Sequence, residues 1–181
     1  MSTHKRTAFA AGLAALVAGT AVAQEGPGLG EPISATDLAP WDISIETDGS
    51  GLPPGSGTVA EGDAIYQAKC IACHGEEGAG RPNDRLVGGQ GTLTDFNQVR
   101  TLGSYWPHAT TVFDYIRRAM PFTTPETLGN DEVYALTAYL LYLNGIIEAD
   151  DVMNARSLAR VRMPNEDGFI VAWPEKPDLG D

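Results

Sequence analysis

Basic residues are scarce in this sequence. The 181 residues include 12 Lys and Arg against 24 Asp and Glu, which gives a formal net charge of -12 at pH 7. No cluster of Lys and Arg is large enough to follow a phosphate backbone, which argues against nucleic-acid binding. The acidity fits either the solubility of an exported protein or steering toward a positively charged partner surface, and net charge alone does not separate the two.

Long apolar runs are also missing. The run from Ala8 to Ala18 is well short of the ~20 residues that span a bilayer. It follows Lys5 and Arg6 and precedes the small-residue site Ala21-Val22-Ala23, so residues 1–23 are predicted to be a cleaved secretory signal, with a retained membrane anchor as the alternative. After cleavage we expect no membrane span. The net charge would then be -14, because Lys5 and Arg6 are the only charged residues removed.

Cysteine is limited to Cys70 and Cys73. In an exported protein, a lone close pair is compatible with a small disulfide, a redox-active pair or half of a zinc site. A zinc site needs more ligands, and besides His74 the only histidines are His4 and His108. A thioredoxin-like pair needs strands that alternate with helices, and the sequence shows no such pattern.

The residues around the cysteines favour another chemistry. Cys70-Ile71-Ala72-Cys73-His74 is the C-x-x-C-H motif of covalent c-type haem attachment. Two thiols three positions apart can reach the two vinyl groups on one porphyrin edge, and the adjacent histidine brings its imidazole to the iron. We therefore predict one covalently attached haem c, held by Cys70 and Cys73 and ligated by His74.

Breaker residues divide the chain into segments. Gly, Pro, Ser and acidic residues dominate residues 24–58, which predicts an irregular N-terminal arm. Residues 59–147 carry the helical patterns and are predicted to form the haem domain. Residues 148–181 form a C-terminal tail without an evident core of its own. We expect this tail to pack back through four apolar side chains: Val152, Leu158, Val161 and Phe169.

The spacing of apolar residues predicts helices over residues 60–69, 111–119 and 131–143. Asn130 is the expected N-cap of the third helix. The glycine-rich stretch 75–104 predicts a wrapping loop with a short helix from about Asp95 to Leu102. Since no alternating strand pattern competes, the predicted fold is all-α.

The sixth ligand decides between carrying electrons and binding small molecules, because an iron with both axial positions filled has no vacancy for a substrate. Met120 is the leading candidate, since it ends a predicted helix and Pro121 turns the chain into a loop. A methionine is more often an apolar core residue than an iron ligand. Met163, which also precedes a proline, His108 and an open site remain alternatives.

Other side chains are candidates for secondary contacts. Tyr66 and Tyr139 lie on the first and last predicted helices and would meet where these cross, although tyrosines at such positions are usually core residues. Arg81, Arg85 and Arg100 are candidates for pairing with haem propionates, and a solvated surface position is the ordinary alternative for each.

The chain resembles the class I c-type cytochromes over about residues 59–147. The resemblance rests on these residues: Gly62, Tyr66, Cys70-Ile71-Ala72-Cys73-His74-Gly75, Leu86-Val87-Gly88-Gly89, Met120-Pro121 and the last helix. It implies a fold of three or more helices around one haem, with His74 and Met120 as the axial pair. In these cytochromes a proline carbonyl shortly before the loop's Leu-x-Gly often orients the haem histidine. Here Asn83-Asp84-Arg85 separates Pro82 from Leu86, which leaves open the carbonyl that does so.

A narrower resemblance covers most of the mature chain. It lies in Trp41-Asp42-Ile43, Gly51-Leu52-Pro53-Pro54-Gly55-Ser56-Gly57, Gly103-Ser104-Tyr105-Trp106-Pro107, the segment from Phe113 to Phe122, and Met163-Pro164-Asn165. These segments resemble the cytochrome subunit of periplasmic sulfur or sulfite dehydrogenases of the Sox type. The resemblance implies a molybdenum-cofactor catalytic subunit as electron donor and a periplasmic location. With one C-x-x-C-H motif, the chain resembles a single-haem form.

These observations give the hypothesis of a periplasmic single-haem cytochrome that performs no bond chemistry itself. It would accept electrons from a sulfur-compound dehydrogenase and pass them to another cytochrome or a terminal oxidase. Three alternatives remain: a haem enzyme with an open iron face, a binding module whose arm and tail clamp a partner, and a free-standing carrier unrelated to sulfur.

Overall fold

The computed structural model of the protein describes residues 29–170 and residue 172, so the predicted signal over residues 1–23 lies outside the described residues. In chain order the elements are α1 (Ala35–Leu38), β1 (Ser56–Thr58), α2 (Val59–Lys69), α3 (Ile71–His74), α4 (Ala109–Ala119), α5 (Asn130–Leu143), β2 (Val152–Asn154) and α6 (Ala155–Leu158). A short 3-10 turn, Glu76–Gly78, follows α3. None of the described helices is both long and apolar enough to cross a membrane.

The crossing of α2 and α5 is the centre of the fold. Gly62 of α2 lies so close to the backbone of Ala135 in α5 that a side chain at position 62 would collide with it. The close approach brings Tyr66 and Tyr139 together, with ring centroids 5.4 Å apart. Both tyrosines are buried, so the predicted meeting of the first and last helices at these residues is confirmed.

Helix α4 packs beside α5 through an aromatic pair. Phe113 and Tyr134 are both fully buried, and their ring centroids are 4.4 Å apart. The polar side of α4 carries the ion pair between Asp114 and Arg118, one turn apart. The helix ends at Ala119 and Met120 is extended, as expected before Pro121, whose ring disfavours helical backbone at the preceding residue.

The second half of the N-terminal arm is hydrogen-bonded to these helices. Thr110 donates its hydroxyl proton to the carbonyl oxygen of Thr47, and Tyr134 donates to the carbonyl oxygen of Pro53 at 2.8 Å. The backbone amide of Ser56 donates to Asp131 at the start of α5. This part of the arm is therefore part of the folded body.

The arm and the tail meet in a two-stranded antiparallel sheet. In it, β1 and β2 pair Ser56 with Asn154, Gly57 with Met153 and Thr58 with Val152. The chain is therefore helix-rich with a small sheet, and the all-α prediction missed these two strands. Each has only three residues, which is too short for an alternating pattern to be recognised in a sequence.

The tail contributes to the core, although not through all the residues expected. Leu158 is buried and Val161 half-buried, whereas Val152 and Phe169 remain exposed. The remaining tail burial comes from two methionines, Met153 and Met163.

Two further local predictions are wrong. The short helix from Asp95 to Leu102 is absent, and turns and irregular backbone occupy that stretch. Asn130 is the first residue of α5 rather than its N-cap. The cap is Gly129, whose amide donates to the side chain of Glu132. The Asn130 amide group instead donates to the carbonyl oxygen of Pro54 in the arm.

Candidate functional site

The C-x-x-C-H motif lies between two short helical elements. A capping box of Thr58 and Glu61 starts α2, which delivers Cys70 at its C-terminus. Cys70 also caps α3, the single turn that contains Cys73 and ends at His74. Gly75 stops this turn with a positive φ of 75°, a conformation that favours glycine. The motif is thereby folded into one compact turn.

The two cysteines differ in their surroundings. Both are free thiols, Cys70 half-buried and Cys73 exposed. Burial raises the pKa of the Cys70 thiol to about 11, and the nearby Lys69 only partly opposes this.

The imidazole of His74 is oriented by a backbone carbonyl. Its Nδ1 atom lies 3.0 Å from the carbonyl oxygen of Asp84. A carbonyl oxygen only accepts hydrogen bonds, so Nδ1 carries the proton and the lone pair is on Nε2, the arrangement seen in metal-bound histidines. The sequence left open which carbonyl does this work. Asp84 provides it, two residues after Pro82.

The loop that contains Asp84 is bound to the motif by backbone hydrogen bonds. The amide of Gly80 donates to the carbonyl oxygen of His74, and the amide of Asn83 donates to that of Cys73. The amide of Leu86 then donates to the carbonyl oxygen of Gly78. These bonds hold the Asp84 carbonyl in place without requiring a proline next to it.

A cavity of about 650 Å³ lies beside the motif. Its size is within the ~300–1,000 Å³ of typical cofactor and ligand sites. Cys70, Cys73, His74 and Met120 all line it. The apolar part of its wall comes from Leu86, Leu102, Trp106, Val112, Ile116, Leu128, Leu136 and Leu140.

The structure separates Met120 from the alternative ligands. Met120 lines the cavity from the C-terminal end of α4. Met163 is 2% exposed within the hydrophobic core and is not among the cavity-lining residues. His108 is the N-cap of α4, and its backbone forms an isolated antiparallel β-bridge with that of Arg162. It is likewise not part of the cavity wall.

The charged part of the cavity wall is predominantly basic, although the chain is acidic. Lys69, Arg85 and Arg100 line the cavity, and among the residues that the structure describes Asp84 is the only carboxylate that does. Arg100 lies over the ring of Tyr105, 5.0 Å from its centroid. Of the three arginines predicted near the site, Arg85 and Arg100 are there and Arg81 is not.

Some residues of the site carry no recognisable sequence signal. Tyr115 is one of them and lines the cavity with its ring perpendicular to that of Trp106, 5.4 Å away. Trp106 itself was a sequence-based candidate for the cavity wall, and its place there is confirmed. Leu128 also lines it, although it belongs to a loop without helical periodicity. The contribution of Lys69 was missed as well, and its position directly before Cys70 was the available clue.

These residues fit a haem. Two thiols three positions apart, an imidazole with a free Nε2 and a thioether line one cavity. The wall is largely apolar, as a porphyrin requires, and its cations suit the two propionates. The donor set of sulfur and imidazole nitrogen is also one that iron accepts in proteins.

Comparison with known proteins agrees with this donor set. Residues 57–140 match the family described as "Cytochrome C oxidase, cbb3-type, subunit III". The search of curated proteins finds no match. Among solved structures, the chain is similar to the sulfane dehydrogenase SoxCD from Paracoccus pantotrophus. The TM-score is 0.76 and the identity 44%, over 84% of this chain and 74% of that one. The chain therefore belongs to the class I c-type cytochromes and resembles the cytochrome of Sox-type sulfur dehydrogenases.

Proposed function

We propose that this protein is a periplasmic electron carrier with one covalently attached haem c. Cys70 and Cys73 would form the thioether links, and His74 and Met120 would be the axial ligands. The observation that carries the proposal is that the C-x-x-C-H motif and Met120 line a single cavity. When bound there, the haem supplies one-electron redox chemistry.

His74 is prepared for its role before any metal binds. The hydrogen bond from Nδ1 to the Asp84 carbonyl fixes the tautomer and the direction of the ring. It also makes the imidazole a better electron donor to a bound metal. A rigid, basic ligand of this kind stabilises the higher charge of ferric iron, which helps to set the reduction potential.

Met120 favours the carrier role over catalysis on chemical grounds. Pro121 ends α4 directly after it, so the thioether belongs to an extended residue at the cavity wall. Methionine with histidine raises the reduction potential and occupies the position that a substrate would need. The apolar side chains around both ligands exclude water and favour the less charged ferrous state.

The basic side chains of the wall would neutralise the propionates. Arg85 and Arg100 both line the cavity, and Lys69 lies beside the motif. Arg85 is held in place by a bond from its Nε to the carbonyl oxygen of Ala79. Fixed cations of this kind compensate the charge that the cofactor brings into an otherwise apolar cavity.

The donor is proposed to be a molybdenum-dependent dehydrogenase that oxidises a sulfur compound. Support comes from the similarity to SoxCD, a sulfane dehydrogenase. The downstream acceptor would be another cytochrome or a terminal oxidase. The predicted signal over residues 1–23 supports the periplasmic location, and the net charge of -12 would favour partners with a basic surface.

The domain organisation proposed for this function has three parts after the signal. Residues 59–147 would hold the haem, and residues 24–58 and 148–181 would be extensions. Hydrogen bonds such as that from Tyr134 in the haem domain to Pro53 in the N-terminal extension support the proposal that the extensions stabilise the haem domain. This favours the carrier over a module whose arm and tail serve only to clamp a partner.

The first experiment combines mass spectrometry and absorption spectroscopy of the purified protein. We expect the mass to increase by one haem, resistant to extraction with acidified acetone. The ferric form should be low-spin with a near-infrared sulfur-to-iron charge-transfer band. A high-spin spectrum with carbon monoxide binding in the ferrous form would instead favour a haem enzyme.

A second measurement tests the donor. The purified molybdenum-dependent subunit of the source organism should reduce the cytochrome when its sulfur substrate is added, and not without it. Reduction by the substrate alone would contradict the carrier role, because it would place the chemistry on the cytochrome itself.

A further inference from the structure

Residues 29–41, here called the N-terminal hook, expose an unusual concentration of apolar side chains. All of these residues are exposed, and α1 buries none of its side chains. The exposed fractions of the large apolar side chains are 86% for Leu29, 60% for Ile33, 46% for Leu38 and 79% for Trp41. Single exposed apolar residues need no explanation, but a cluster of them marks an interaction site.

The hook has a defined conformation without packing against the body. Ser34 caps α1 by accepting the amide of Asp37, and its hydroxyl donates to the Asp37 carboxylate. The amide of Trp41 then donates to the carbonyl oxygen of Leu38 at 2.8 Å. Leu38 and Trp41 are thus three residues apart on a helical turn, the spacing with which short helices anchor in grooves. A preformed turn of this kind lowers the entropy lost on binding.

Charge identifies the kind of surface that the hook fits. From Leu29 to Ala68 the chain has seven carboxylates and no Lys, Arg or His. Two of the carboxylates, Glu31 and Asp37, belong to the hook itself. A second copy of this chain, with a net charge of -12, would repel the hook, as would an anionic membrane. The complementary surface is an apolar groove bordered by basic side chains.

The hook is tethered near the cavity. It joins the body at Ile43, whose carbonyl oxygen accepts a hydrogen bond from Arg118 of α4. Asp114 holds the same guanidinium at 2.7 Å. Met120 directly follows helix α4, and Tyr115 of this helix lines the cavity. A protein that binds the hook is therefore held beside the helix that supplies one wall of the proposed haem site.

We propose that the N-terminal hook is the docking element for the dehydrogenase subunit that donates electrons, and that it binds an apolar, basic-rimmed groove on that subunit. This inference rests on the proposed function and adds the surface through which the donor is bound. Leu38 and Trp41 are its anchors. The hook raises the affinity for the donor and leaves the chemistry of the iron unchanged.

The test is the rate at which the purified molybdenum-dependent subunit of the source organism, supplied with its sulfur substrate, reduces the holo-cytochrome. Leu38→Ala combined with Trp41→Ala is the test variant. Phe96→Ala, which removes another large and fully exposed aromatic ring elsewhere, is the control. All three side chains are exposed, so each variant should keep the spectrum and melting temperature of the wild type.

We expect the double variant to raise KM for the cytochrome by ~30-fold or more, as truncation of a tryptophan anchor usually does. Neither kcat nor the reduction potential should change, and Phe96→Ala should stay within about twofold of the wild type. The wild-type KM should rise with salt, and Glu31→Lys should raise it further by slowing association.

Three results would overturn the inference. One is a KM of the double variant within about twofold of the wild type, which would leave the proposed function intact. Another is a wild-type dimer in sedimentation that the double variant abolishes, with KM unchanged, because this would assign the hook to a second copy. If the wild type itself is not reduced, the proposed donor is wrong and the inference falls with it.

Discussion

The Nδ1 atom of His74 is hydrogen-bonded to the carbonyl oxygen of Asp84, ten residues further along the chain. The orientation of the imidazole therefore depends on the position of a loop. That loop is in turn hydrogen-bonded to the side chain of Asn144, at the end of α5. The Asn144 side chain accepts from the amide of Gly88 and donates to the carbonyl oxygens of Leu86 and Leu140.

Asn144→Leu should destabilise the protein and loosen His74. The substitution leaves the Gly88 amide and the Leu86 carbonyl without their partner, which should lower the free energy of unfolding by about 2–3 kcal/mol. The His74 Nδ1 proton should exchange faster with water, as measured by NMR. Asn165→Leu is the control, since its amide group donates to the carbonyl oxygen of Tyr105, away from the loop. Equal exchange rates in both variants would contradict the coupling.

Met120→Ala should lower the reduction potential, abolish the sulfur-to-iron band and allow carbon monoxide to bind. The physical reason is the loss of the proposed thioether ligand. Met163→Leu is the matched control, because Met163 is buried in the core outside the cavity wall. That change nearly conserves volume and should cost less than about 1.5 kcal/mol, with an unaltered spectrum. A spectral change in Met163→Leu but not in Met120→Ala would show that Met163, and not Met120, is the iron ligand.

Gly62→Ala should weaken the crossing of α2 and α5. In an open helix this substitution stabilises by about 0.5–1 kcal/mol, but here the added methyl group would collide with the backbone of Ala135. We expect a loss of about 1–3 kcal/mol in the free energy of unfolding, measured by denaturant titration. Gly129→Ala is a suitable control, because the nearest atom to its added methyl group is 3.9 Å away. A Gly62→Ala protein as stable as the wild type would show that the helices can separate without cost.

Substitutions in the tail should destabilise the whole protein. Met153 and Leu158 are 3% and 1% exposed, so replacing either with alanine should cost about 2–5 kcal/mol. Val152→Ala is the control from the same strand, since Val152 is 43% exposed and should change stability by less than about 0.5 kcal/mol. Thermal unfolding with the haem in place gives the comparison. A partial transition confined to the tail would contradict a shared core.

Because of the ion pair between Lys69 and Glu132, the folded protein should be less stable in acid than at neutral pH. Two hydrogen bonds to the Glu132 carboxylate hold its pKa below the ordinary 4.5. The larger effect comes from the bond donated by Lys69, and the smaller from the bond donated by the Gly129 amide. Glu132 binds a proton more readily in the unfolded chain than in the folded one. The stability gained from the ion pair is therefore complete above pH 4.5 and is lost as the pH falls through the lowered folded pKa. Both side chains are at least one-third exposed, which limits the gain to about 0.2–1 kcal/mol.

The corresponding measurement compares melting temperatures of the wild type and Glu132→Gln between about pH 7 and pH 3. The wild type should be more stable at neutral pH, and the difference should disappear in acid. Asp150→Asn, at an exposed position in the tail, is the control. A difference that persists unchanged at low pH would exclude the ionised pair as its source.

Local sequence patterns predicted the three main helices well. Helix α4 alternates buried and exposed residues at helical spacing, and α5 is flanked by Gly129 and Gly145. The C-x-x-C-H motif is equally local, because its chemistry requires adjacent residues. Met120 could be proposed because Pro121 marks the end of a helix.

Features that depend on distant residues could not be predicted in this way. The pairing of β1 with β2 joins the arm to the tail, and neither strand has a pattern of its own. The Asp84 carbonyl is a backbone atom, and backbone atoms have no sequence signal at all. The burial of Met153 and Met163 likewise depends on where the tail lies rather than on its composition.

The sheet between arm and tail also sets the order in which the molecule can assemble. Cys70 to His74 precede β2 in the chain, so on export that begins at the N-terminus they would emerge before it. Until Met153 and Met163 arrive, β1 has no partner and the core remains incomplete. The late closure would leave both thiols accessible on an unfinished chain, as the proposed covalent attachment of a haem requires.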